Sequence, residues 1–125
     1  MKLLILALAG GLGTLTRYGT GVLVSYWAKD TNFPWAIFTV NMIGCLLFGI
    51  VFSFTESKTE WPEEIRLYAL VGFMGAFTTY STFAFQSAAF IKESQWGLAL
   101  ANVLSQNILG ILCVFAGLYL GKILS

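Results

Sequence analysis

The sequence contains no histidine, and none of its six acidic residues falls inside a long apolar run. Membrane-embedded carboxylates or imidazoles are the usual carriers of a coupled proton, so their absence argues against proton-driven transport. Cysteine is scarce: Cys45 and Cys113 stand singly in apolar surroundings. They read as inert buried thiols, without the spacing of a zinc site or a redox pair. Charge is scarce as well. Only 10% of the residues are Asp, Glu, Lys or Arg, where a soluble domain carries about a quarter. A net charge of +1 leaves no basic footprint for nucleic acid. Nothing in this inventory supports an enzyme.

What the chain does have is long hydrophobic runs, with 58% of its 125 residues apolar. Four stretches, 3–27, 35–54, 67–91 and 96–120, reach the length of roughly 20 residues that a membrane-crossing helix needs. The first is too long, and too rich in mid-segment Gly and Thr, for a cleaved signal peptide. The sequence therefore predicts an all-α membrane protein, a single transmembrane domain over 1–125 with four spans. Trp27, Trp35, Trp61 and Trp96 fall at or near the ends of these runs, where indole rings favour the headgroup zone. Pro34 and Pro62 precede runs, where a missing N–H is harmless. The charged stretch 55–66 reads as a solvated loop with a short helical lead-in. Four spans would place Lys2, Lys58, Arg66 and Lys122 on one side and Lys29 and Lys92 on the other. That bias is weak by the positive-inside rule and permits insertion in both orientations.

The third run holds the densest polar cluster: Gly72-Phe-Met-Gly75-Ala-Phe-Thr78-Thr79-Tyr80-Ser81-Thr82-Phe83. Tyr80 and Phe83 share a helix face. Packed rings with hydroxyls bonded to the preceding turn are one reading. The other is a helix that opens in mid-membrane. Its freed backbone groups are then tolerated only against protein or a lined cavity. A hard cation such as Na⁺ would satisfy freed carbonyls, and ring edges, which carry partial positive charge, would meet an anion without binding it too tightly to release. Both readings stand on the residues alone.

Other polar residues punctuate the remaining runs. Asn41, sharing a face with Gly44 and Phe48, offers either interhelical glue or an N–H₂ donor to an anion. Arg17, the one charge within a run, either snorkels to a headgroup or lines an aqueous vestibule that attracts anions; the vestibule is favoured. Asn102, Ser105 and Gln106 share a face of the fourth run, with Asn107 beside them, and could line a path or bond to other helices. Gly44, Gly49, Gly110, Gly117 and Gly121 suit close helix contact. Four short helices make a thin bundle, so enclosing a polar path calls for an oligomer.

Three motifs together resemble the Fluc (CrcB) fluoride channel family: Gly10-Gly-x-Gly13 with Arg17-Tyr18, Asn41-x-x-Gly44 with Gly49, and Gly75-Ala-Phe-Thr78-Thr79-Tyr80-Ser81-Thr82-Phe83. The match covers the first three runs, and length and layout agree over the whole chain. The resemblance implies an antiparallel, dual-topology homodimer in the inner (plasma) membrane, with two fluoride pores at the dimer interface. It implies passive fluoride export from the cytoplasm and a structural, untransported Na⁺ at the dimer centre, held at Gly75 and Thr78. It places Asn41, Tyr80, Ser81, Thr82 and Phe83 along the pore and Arg17 in its vestibule. Two departures stand out: Tyr80 where Phe is usual, and Gln86 where many members carry Glu.

Two competing readings remain distinguishable. A small proton-coupled multidrug-type antiporter dimer would need a proton gradient and lacks the required carboxylate here. A non-transporting membrane assembly subunit would have a dry interface around Tyr80 and Phe83. If ring edges guide the ion, Phe83→Ile lowers fluoride flux from proteoliposomes while dimer assembly survives. Unchanged flux would remove Phe83 from the path.

Overall fold

The computed structural model describes residues 1–57 and 62–125. The charged residues Lys58 and Glu60 and the interfacial candidate Trp61 lie outside the described residues. Among the described residues every regular element is helical. Helix α1 spans Lys2–Trp27, α2 Trp35–Ser57 and α3 Glu63–Arg66. A π-helical stretch, Leu67–Met74, leads directly into the short α4, Gly75–Phe77. Helix α5 covers Tyr80–Lys92 and α6 Trp96–Leu124.

Two of these helices, over Trp35–Glu56 and Trp96–Leu124, are long and apolar enough to cross a membrane. Helix α1 has the length, but Arg17 and the Gly and Thr residues around it dilute its hydropathy. Helix α2 runs past the end of its apolar run, through Thr55 and into the segment read from sequence as loop. The Thr55 hydroxyl donates back to the carbonyls of Val51 and Phe52 at 2.7 and 3.1 Å, so its polar atom is satisfied without leaving the helix. At the other end of that connection, α3 begins directly after Pro62, whose fixed φ of −56° suits the position before a first turn.

Glycines set the closest approaches. Helices α2 and α6 make the largest contact in the fold, with Gly49 facing Gly117. A Cβ on Gly117 would run into the Leu46 carbonyl, and one on Gly121 into the Ile50 carbonyl. Helix α1 packs in the same way on the stretch 67–77: a Cβ on Gly13 would strike the Phe73 carbonyl. Small residues at such seams let backbones touch, which is how helices associate where lipid competes for apolar side chains. The hydrophobic interior is correspondingly small: Val40, Leu70, Met74, Phe77, Phe83 and Ala99 are buried, while most large apolar side chains of α1 and α6 face outward.

The connection from α4 to α5 is the irregular point. Thr78 (φ −78°, ψ 159°) and Thr79 (φ −146°, ψ 113°) are extended, so the helix ends at Phe77 and restarts at Tyr80.

The seam yields a prediction. Gly117→Ala overpacks a backbone contact and lowers stability by about 1–3 kcal/mol. Gly97→Ala, whose Cβ meets nothing within 4 Å, is neutral or slightly stabilising, since Ala is the better helix former. Thermal unfolding of the detergent-solubilised variants makes the comparison; equal melting temperatures would contradict a seam set by backbone contact.

Candidate functional site

The two extended residues Thr78 and Thr79 leave backbone groups that a continuous helix would have paired. At the start of α5 the chain supplies its own cap. The Thr79 hydroxyl accepts from the Thr82 N–H at 3.3 Å, lies 3.0 Å from the Thr82 hydroxyl and 3.4 Å from that of Ser81. This is an N-cap with a small hydroxyl cluster built on it. On the other side of the interruption, the Thr78 backbone N–H and hydroxyl each donate to the Met74 carbonyl at 3.1 Å. Among the described residues, no backbone hydrogen bond outside the regular helices ends on the carbonyls of Gly75, Ala76, Phe77 or Thr78.

The Thr79 peptide itself is paired by a side chain from another helix. Asn41, about a third of the way along α2, accepts from the Thr79 N–H at 2.9 Å and donates to the Thr79 carbonyl at 3.2 Å. One amide thus replaces both backbone partners of a single residue, as a neighbouring strand would. The Asn41 Nδ2 also donates to Gln106 Oε1 at 2.7 Å, so both of its hydrogens are engaged. Gly44, one turn on from Asn41, makes room: a Cβ there would strike Thr78 Cγ2.

Beside this junction, α2, α5 and α6 leave an open groove of about 280 Å³. Asn41, Phe48, Thr78, Thr79, Tyr80, Phe83 and Gln106 are among its lining residues. Tyr80 and Phe83 sit edge to face, with ring centroids 5.6 Å apart and planes at 62°. Phe83 is buried, whereas Tyr80 is 80% exposed. The lining therefore combines ring edges, hydroxyls and the three carboxamides of Asn41, Gln106 and Asn107, and among the described residues it holds no charged group. Such a surface can meet a small ion with dipoles alone.

Of the residues singled out in the sequence, Asn41, Thr78, Tyr80 and Phe83 converge on this groove. Ser81 and Thr82 adjoin it through the Thr79 hydroxyl. Arg17, half-buried on α1, and Gly75, exposed on α4, are not among the groove's lining residues. Three residues left open or unremarked in the sequence prove central: Thr79 as the hub, and Asn102 and Gln106 as buried amides, 0% and 9% exposed. The available signal was the rarity of carboxamides in apolar helices, with Asn102 and Gln106 four residues apart on one face. Ser105 only contacts the Asn102 carbonyl, at 3.4 Å. Gln86 is half-buried, and its Oε1 is buried without a hydrogen-bond partner among the described residues.

Replacing Asn41 by Leu leaves the Thr79 N–H and the Gln106 carbonyl without partners. Each orphaned buried group costs about 1–3 kcal/mol, so Asn41→Leu unfolds at markedly lower temperature. Asn41→Asp does no better, because a carboxylate cannot donate to Gln106 or to the Thr79 carbonyl. Full stability in either variant would show that the Asn41 pairing does not hold the junction.

Comparison with known proteins adds an independent line. Residues 4–118 match the family model described as CrcB-like protein, Camphor Resistance (CrcB). A protein of Nitrosococcus oceani called fluoride-specific ion channel FluC is 45% identical over 98% of both chains. One of the same name from Maridesulfovibrio salexigens is 46% identical, over 98% of this chain and 97% of its own. A third, from Bacteroides fragilis, is 39% identical over 97% and 96%. Matches of this extent run through both ends of the groove and both helices of the glycine seam, and on that basis the chain belongs to the CrcB family.

Proposed function

We propose that this protein is a fluoride-selective channel that lets fluoride leave the cytoplasm passively. The observation that carries the reading is the groove at the Thr78–Thr79 junction, where ring edges, hydroxyls and carboxamides converge without a charged group. It stands in a chain whose relatives bear the name fluoride-specific ion channel. Fluoride is small and strongly hydrated. A narrow path of weak donors can replace its water stepwise, and none of them holds it firmly enough to stop conduction. Asn41, Tyr80, Ser81, Thr82 and Phe83 line that path, and Arg17 draws anions to its mouth.

The wider architecture follows from the same residues. Four spans cross the inner membrane, the third made of the stretch 67–92 with its interruption in mid-membrane, where only protein or a lined cavity tolerates irregular backbone. Tyr80 and Phe85 are exposed on α5, 80% and 73%, and a groove open on one side needs a second wall. An antiparallel copy of the same chain supplies it, and the weak charge bias between the two sides suits insertion in both orientations. The carbonyls at the end of α4, where the helix gives way to extended backbone, fit a sodium ion. They are hard oxygen ligands at the negative end of a helix, and Gly75 and Thr78 would hold the ion at the dimer centre. When bound, Na⁺ supplies fixed positive charge that neutralises these carbonyls; it is not transported.

Purified protein in liposomes tests the reading. Fluoride efflux, followed with a selective electrode, proceeds without a proton gradient, and chloride efflux is slower by orders of magnitude. Chloride efflux at a comparable rate would sink the proposal, and a requirement for a proton gradient would turn it toward an antiporter.

A further inference from the structure

The polar groups behind the groove form one continuous chain. The Thr79 N–H donates to Asn41 Oδ1 (2.9 Å), Asn41 Nδ2 to Gln106 Oε1 (2.7 Å), and Gln106 Nε2 to Asn102 Oδ1 (3.2 Å). Asn102 Nδ2 then donates to Ser87 Oγ (3.0 Å), whose hydroxyl donates to the Phe83 carbonyl (2.9 Å). These five bonds start at Thr79, the N-cap of α5, pass through α2 and α6, and return to α5 at Phe83, four residues further on. Both ends are main-chain groups. A backbone N–H can only donate and a backbone carbonyl can only accept, so the ends fix the orientation of every carboxamide between them. A flip of any one amide would set oxygen against oxygen or N–H against N–H.

We infer that Gln106, Asn102 and Ser87 are positioning residues for the proposed path. Through this single-polarity chain they set the amide of Asn41, and through Asn41 the backbone of Thr79 at the helix interruption. Asn102 and Ser87 are buried and are not among the groove's lining residues, so they act at a distance from the ion. Gln106 both lines the groove and transmits the orientation. Buried hydrogen-bond chains of this kind strengthen cooperatively and enforce one arrangement, which a path made of weak, directional donors requires.

The inference rests on the fluoride-channel reading, and the test separates the two. The full chain is reconstituted in liposomes as the parent protein, Ser87→Ala, Asn102→Leu and the double variant. Fluoride efflux and the elution volume of the purified assembly are measured for each. Each single substitution is expected to slow efflux about fivefold, the rate equivalent of roughly one hydrogen bond, with the assembly intact. The double variant is no slower than the worse single one, because a chain cut once is already cut. Two independent losses would give roughly 25-fold instead. Parental efflux in either single variant, or a multiplicative loss in the double, overturns the inference. If the parent carries no fluoride, the functional reading falls. The positioning role is then decided by amide hydrogen exchange over residues 75–83. The chain predicts about tenfold faster exchange at Thr79 in Ser87→Ala, and unchanged exchange refutes it. Should Asn102→Leu fail to assemble, Ser87→Ala, which removes one oxygen, decides alone.

Discussion

A helix that stops and restarts must find partners for the peptide groups at the gap, and in this protein the partner of the Thr79 peptide is the side chain of Asn41. That pairing connects everything else. It binds α2 to the start of α5, it fixes which face of α5 meets the groove, and it leaves one Asn41 hydrogen for Gln106 and hence for α6. In an apolar setting an unpaired amide has no water to turn to, so each of these bonds matters more by its loss than by its presence. The Thr79 hydroxyl cap completes the arrangement by satisfying Thr82.

The glycine seams serve this junction. Contact between Gly49 and Gly117 brings α2 and α6 close enough for Asn41 and Gln106 to bond directly. Gly44 lets Thr78 sit against α2, and Gly13 and Gly72 do the same for α1 against the stretch that leads into α4. The packing is therefore backbone on backbone around a small apolar interior, with most large side chains turned outward.

Much of this was legible in the sequence. Apolar runs long enough to be helices announced themselves by length, and three of them correspond closely to α1, α2 and α6. The polar cluster of the third run stood out because consecutive hydroxyls are costly in an apolar run, and Asn41 stood out because a carboxamide is. The end of α2 was misplaced by a few residues, because Thr55 can satisfy itself against its own helix. The partners of Asn41 were not legible. Helix α6 is apolar almost all round, so no hydrophobic face fixes its rotation, and nothing local indicates that Gln106, 65 residues away, points at Asn41. Ser87 gave no signal, since a single serine in a helix is ordinarily bonded to its own preceding turn. It is here too, while also accepting from Asn102.

None of the side chains that link Thr79 to Phe83 gains or loses a proton near neutrality: two asparagines, a glutamine and a serine. A comparable brace built from Asp, Glu or His would rearrange as the medium acidified. This one keeps its shape. For the fluoride path proposed above, that is more than tidy chemistry. Hydrogen fluoride is a weak acid that crosses lipid uncharged and ionises on the far side, so acid surroundings are where the anion accumulates inside a cell. A scaffold without ionisable members stays in working order under the conditions that create the need for it.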